Sequence, residues 1–155
     1  MFQLVERLAR GWQLRGRVCR LPVPSKLVYL ADKHHPIEVR LLPLKVYHGA
    51  IWRLKEGWVI QLNENDPSYR KRFTLFHEAF HILAHCKTVP VFRNRRSDRG
   101  SFNEALADYF AACVLMPRVC VREKWAEVHD AERMAEIFDV SEIIMGIRLK
   151  ELGLI

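Results

Sequence analysis

Arg72-Phe73-Thr74-Leu75-Phe76-His77-Glu78-Ala79-Phe80-His81-Ile82-Leu83-Ala84-His85 decides how the rest of the chain is read. Inside it, His77-Glu78-Ala79-Phe80-His81 is an HExxH pattern with helical surroundings. Residues four apart on a helix lie on one face, a turn above one another, so the two imidazoles can grip one metal ion without bending the backbone. Glu78 leans to the side of that pair. From there its carboxylate reaches a water at the metal rather than the metal itself, as a general base must. A bare five-residue match is weak. The flanking Leu75, Phe76, Ala79, Phe80, Ile82 and Leu83 sharpen it, because burying two histidines and a glutamate is costly unless they satisfy one another or hold an ion.

A catalytic zinc takes three protein ligands and keeps a fourth position open, so a further ligand is needed downstream. The stretch Asn103-Glu104-Ala105-Leu106-Ala107-Asp108-Tyr109-Phe110-Ala111-Ala112 offers two carboxylates four residues apart on an amphipathic helix. One can bind the ion while the other accepts a hydrogen bond from the far nitrogen of a ligand histidine, fixing its tautomer. The alanines permit close approach of the two helices. His85 continues the four-residue spacing but lies a full turn, roughly 5 Å, beyond His81, which suits an outer position or the surface.

These residues resemble the ImmA/IrrE family of zinc metallo-endopeptidases. The likeness is carried by Arg72-Phe73-Thr74 leading into the HExxH, by Glu104 to Pro117, and by the tail with Phe138-Asp139-Val140-Ser141, Arg148-Leu149 and Leu152-Gly153-Leu154. It spans roughly residue 37 to the C-terminus. The resemblance implies that His77, His81 and Glu104 bind Zn2+, that Glu78 is the catalytic base, and that Asp108 supports a ligand histidine. Phe80 departs from the family pattern, which more often has a small residue there; its ring would either narrow the cleft or pack inward.

Working outward, 155 residues with 50% hydrophobic content are enough for one domain with its own core. No run approaches the 18 or so apolar residues of a membrane span, and Met1 to Arg7 lacks a secretory apolar region. The 4 cysteines, Cys19, Cys86, Cys113 and Cys120, have no CxxC spacing and read as reduced thiols of a cytoplasmic protein, with Cys113 in the core. The net charge of +7 rests on two arginine clusters, Arg7, Arg10, Arg15, Arg17 and Arg20, then Arg93, Arg95, Arg96 and Arg99. Both read as solvated faces, and without aromatic interleaving or a known module direct nucleic-acid binding is not expected.

Phe2 to Trp12 shows a helical apolar face of Leu4, Val5, Leu8 and Trp12. Leu27 to His35 reads as a second helix stopped by Pro36, with His34 and His35 favoured by the helix dipole. Alternation in Ile37–Leu41 and Ala50–Leu54, with Trp58–Leu62 following after Lys55-Glu56-Gly57, predicts three strands, the last two a hairpin. Such a sheet either offers an edge to an extended substrate or only covers the metal helix. Pro67 suits the first turn of that helix. Thr88 to Phe102 is polar and without periodicity, a loop suited to a lid. Ala131–Phe138 and Ser141–Leu152 form a helix-turn-helix-like pair. Its second helix carries Ile143, Ile144, Met145, Ile147, Leu149 and Leu152, which suggests burial rather than DNA readout.

The expected architecture is therefore α+β: a small antiparallel three-stranded sheet packed on a mainly helical, zincin-like domain with a C-terminal helix-turn-helix-like pair. One metallopeptidase domain over 1–155 divides into N-terminal helices (1–36), sheet (37–63), HExxH helix (66–86), third-ligand helix (101–116) and C-terminal helices (117–155). The expected function is a zinc-dependent endopeptidase acting on a specific intracellular protein. The resemblance implies a helix-turn-helix transcriptional repressor as that partner, with no membrane involved. A catalytically weak, zinc-containing protein-binding regulator is the alternative, and Phe80 is the feature that leans towards it. Tyr109 or an arginine of the Arg93–Arg99 stretch could donate to the oxyanion.

Overall fold

The run Trp58-Val59-Ile60-Gln61-Leu62 is almost continuously apolar, the pattern of a strand covered on both faces rather than one. It becomes one of the two inner strands of the sheet. The structure, a computed structural model, describes residues 1–18, 20–84 and 102–155, together with the backbone of 91–94. Strands β1 (Ile37–Leu42), β2 (Tyr47–Arg53), β3 (Trp58–Asn63) and β4 (Val91–Asn94) lie in the order β1-β3-β2-β4. The expected β2–β3 hairpin is present and antiparallel, closed by Leu54 N–H donating to the Gly57 carbonyl at 2.8 Å.

Two features of the sheet differ from expectation. β1 runs parallel to β3, Ile37 opposite Trp58 and Leu42 opposite Asn63, so the sheet is mixed rather than antiparallel. Alternating side chains fix which face of β1 is buried but not which way the strand points. In addition, β4 pairs antiparallel with β2, so part of the predicted Thr88–Phe102 loop is a fourth strand. Phe102, at the end of that predicted loop, already belongs to a helix; the rest of the loop, and His85, Cys86 and Cys19, lie outside the described residues, as do the side chains of the second arginine cluster.

Helix α1 (Phe2–Arg15) buries Val5, Ala9 and Trp12 at helical spacing, whereas Leu4 is exposed. Trp12 meets Phe110 edge to face at 4.9 Å, and the Gln13 amide donates to the carbonyls of Cys113 and Val114 at 2.9 and 3.2 Å. Those carbonyls end a helix and would otherwise lack partners. The predicted helix over Leu27–His35 is instead a 3-10 helix, Ser25–Ala31. It stops because Asp32 takes over the next amides: its carboxylate accepts from the backbone N–H of His34 and His35, from the His35 ring and from the Trp58 indole. This carboxylate, not a helix dipole, accounts for the two histidines.

Helix α2 (Ser68–Ala84) is buried on every side from Thr74 to Ile82. Pro67 lies just before it, its carbonyl accepting from Arg70 and Lys71 N–H, which makes it the residue preceding the first turn rather than part of it. The sheet approaches α2 closely at Gly49, where a Cβ would come within 2.5 Å of Thr74 Cγ2. On its other side α2 packs against α3 (Phe102–Leu115), where Ala79, Ala107 and Ala111 are fully buried. Small side chains there let the two backbones approach, as the sequence suggested.

Pro117 leads into α4 (Arg118–Val128), followed by α5 (Ala131–Phe138) and α6 (Glu142–Glu151). Asp130 and Ser141 cap the last two, accepting from Arg133 and Ile144 N–H. The apolar content of α6 divides: Met145 and Leu149, with Leu152 just after the helix, are buried with Arg148, while Ile143 and Ile147 are 77% and 58% exposed. The expectation that all of them are buried fails for that pair, which falls on the opposite face of the helix. Among the described residues, no helix is long and apolar enough to cross a membrane.

Candidate metal centre

The four-residue spacing on α2 brings both imidazoles to one face, and the close α2–α3 packing carries Glu104 to them. His77 Nε2 and His81 Nε2 are 3.1 Å apart. Glu104 closes the triangle, Oε2 at 3.2 Å from His77 Nε2 and Oε1 at 2.9 Å from His81 Nε2. These three residues form a group whose ligand atoms could hold a metal ion. The remaining nitrogen of His77, Nδ1, lies 2.7 Å from Asp108 Oδ1. A carboxylate can only accept, so the proton of a neutral His77 sits on Nδ1 and its Nε2 presents a lone pair inward.

This donor set fits zinc. Three acceptor atoms crowded within about 3 Å repel unless a proton or a cation lies among them. Bond lengths of about 2.0–2.1 Å in a tetrahedron put ligand atoms about 3.3 Å apart, close to the three edges observed. Imidazole and carboxylate are also ligands zinc accepts. Burial works to raise the Glu104 carboxyl, but whenever His77 and His81 carry protons on Nε2 their hydrogen bonds and charge outweigh it and hold it well below the usual carboxylate range; a metal ion would take the place of those protons. The group is therefore ionised and ready to bind a cation at neutral pH. Burial is graded across the site: His77, Glu78 and His81 are closed off, while the Glu104 and Asp108 side chains are 17% and 47% exposed.

Residues 32–150 match the family model of the IrrE N-terminal-like domain (Peptidase_M78), well over half of the chain. The chain belongs to this family. Comparison with curated proteins returns no match. Membership carries a metallopeptidase-type function and with it a protein substrate. In this IrrE-like domain, the HExxH segment lies on α2 and the Glu104–Asp108 segment on the adjoining α3.

Two further residues singled out from sequence have clear locations. The Phe80 ring is 6% exposed and packs on Phe110 at 5.4 Å, so it fills the core. The Tyr109 hydroxyl donates to Glu151 Oε1 at 2.6 Å and its ring lies against Phe2, which turns it towards α6 and α1 rather than towards an oxyanion. Burial and that carboxylate both push its phenol up. Cys113 is buried as expected, its thiol pushed up to about 11 chiefly by desolvation, which leaves it inert. Arg7, Arg10, Arg15, Arg17 and Arg20 are exposed. Sequence reasoning missed the polar ties of Asp139 to Ser68 and Arg72, and of Arg148 to Glu6 and Glu151. Apart from the 148–151 pair, with its i,i+3 spacing, their partners are too far apart in sequence to leave a local signature.

Proposed function

We propose that this IrrE-like domain is a zinc-dependent endopeptidase that cleaves a specific intracellular protein, with His77, His81 and Glu104 as the metal ligands. The observation that supports this most is the triangle of donor atoms with edges of 2.9, 3.1 and 3.2 Å. Bound there, zinc supplies Lewis acidity, polarising a peptide carbonyl and making water easier to ionise.

Glu78 performs the proton transfers. It takes a proton from the water whose oxygen adds to the carbonyl carbon, then gives it to the amide nitrogen as the C–N bond breaks. Its closure from solvent (1% exposed) keeps bulk water from competing for that proton. Asp108 holds the His77 tautomer throughout, and Glu104, already ionised, needs no proton removed before it binds. The substrate class that fits the family resemblance is a helix-turn-helix transcriptional repressor, cleaved in the cytoplasm as a regulatory event.

The test uses the pair wild type and Glu78→Gln. The variant keeps the ligands and is expected to retain zinc while losing cleavage. Comparing the proteins that disappear when each is expressed in the native cell identifies the substrate; a repressor lost only with wild type is the expected result. Equal loss with both would remove Glu78 from the chemistry.

A further inference from the structure

Arg72 and the tail around Asp139 and Arg148 take no part in the triad, yet the fold brings them onto the two helices that carry it. Asp139 occupies the α5–α6 turn with φ 51 and ψ 58, a left-handed conformation that Asp tolerates. From there its Oδ2 accepts from Ser68 Oγ at 2.5 Å and lies 3.3 Å from Arg72 Nε, at the start of α2. Arg72 also donates to the Val23 carbonyl at 2.7 Å and to Ser25 Oγ at 3.3 Å.

At the far end of α6, Glu151 accepts from Tyr109 of α3 and from Arg148 Nη1 at 2.9 Å. The Arg148 guanidinium, 1% exposed, further donates to the Met116 carbonyl at 3.3 Å and to Glu6 of α1 at 3.3 Å. Tyr109 immediately follows Asp108, the residue that orients His77.

The physical need for such ties lies in the α2–α3 contact. A surface of Ala79, Ala107 and Ala111 permits close approach but has little ridge-and-groove relief to stop one helix sliding along the other. A metal triad tolerates displacements of only about 0.5 Å. We propose that the α5–α6 pair is a brace spanning both metal helices, and that Asp139 and Glu151 are positioning residues. Asp139 acts on α2 through Ser68 and Arg72; Glu151 acts on α3 through Tyr109. Together they fix the register at which Glu104 meets both imidazoles. This rests on reading the triad as a zinc site.

The test measures zinc affinity of the full chain by competition with a chromophoric chelator, and the d–d absorption of the cobalt(II)-loaded protein as a report on site geometry. Tyr109→Phe removes one hydroxyl and keeps the ring. Asp139→Asn keeps the left-handed turn and an acceptor for Ser68, removing only the charge facing Arg72. Direct partners of ligands are worth about 10- to 100-fold in affinity, so residues one step further out are expected to cost about 3- to 10-fold each, with a shifted cobalt spectrum. Glu127→Gln, which breaks the Lys124–Glu127 surface pair of α4, is the control and should change neither.

A purely structural role would lower the melting temperature while leaving affinity and spectrum as in wild type; that result in folded Tyr109→Phe overturns the proposal, even if Asp139→Asn does not fold. A wild type that holds zinc but cleaves no protein contradicts the endopeptidase reading and leaves the brace standing. A wild type that holds no zinc removes both.

Discussion

Two histidine–aspartate pairs in this molecule have the same 2.7 Å contact and opposite meanings. His77 Nδ1 faces Asp108, and His48 Nδ1 faces Asp66. What differs is the other ring nitrogen. His77 Nε2 looks at two further acceptors, His81 and Glu104. His48 Nε2 looks at the Arg70 guanidinium at 3.1 Å, which can only donate. The first nitrogen faces groups that could share a cation with it; the second already accepts from one. A carboxylate behind an imidazole therefore shows that the ring is oriented, and the group in front of it shows for what.

The largest expected effect strikes the first cluster alone. Glu104→Ala removes one of three ligands and is expected to weaken zinc binding by at least about 100-fold, beyond the range for outer partners. Chelator competition reads this directly, and wild-type affinity in that variant would break the contrast. Next, Asp108→Ala should weaken zinc binding about 10- to 100-fold by releasing the His77 tautomer. Its counterpart Asp66→Ala should leave zinc affinity unchanged and instead lower unfolding free energy by about 1–3 kcal/mol, since it strips a partner from a half-buried histidine. If Asp66→Ala costs zinc affinity as Asp108→Ala does, the two clusters are not distinct in role.

A third pair sharpens the comparison from the side of stability. His35 Nδ1 lies 2.8 Å from Asp32, whose carboxylate also accepts from the Trp58 indole and the His34 amide. Burial works to raise this carboxyl, but the hydrogen bonds from Trp58, His34 and His35 outweigh it and bring it down from 3.8 to about 2. A depressed carboxyl contributes stability above its unfolded value and loses it as pH falls through the folded one. Wild type should thus lose melting temperature between about pH 4 and pH 2, and Asp32→Asn should show a flatter profile over that window. Parallel profiles would remove Asp32 from the acid sensitivity. This is the smallest of the expected effects.

The reach of the sequence follows from which constraints are local. His77, His81, Glu104 and Asp108 were legible because each pair is four apart on a helix, and only the meeting of the two helices had to be inferred. The β2–β3 hairpin was legible for the same reason, its strands joined by a short turn at Gly57. The direction of β1 was not, because alternation in Ile37–Leu41 is identical for parallel and antiparallel pairing. The helix drawn through His35 failed because Asp32 offers its own carboxylate to the next two amides, a competition periodicity does not register. On α6, composition could not separate Met145 and Leu149, which pack inward, from Ile143 and Ile147, which do not. The ties at Asp139 and Arg148 to α1, α2 and the end of α3 were invisible since their partners are tens of residues away.

The central claim is that one zinc ion is held by two imidazoles and one carboxylate from α2 and α3. Zinc K-edge absorption fine structure on the metal-loaded chain tests it most directly. The account predicts only nitrogen and oxygen neighbours near 2.0–2.1 Å, with multiple-scattering features of two imidazoles. A sulfur neighbour near 2.3 Å, or the signature of a single imidazole, would contradict it.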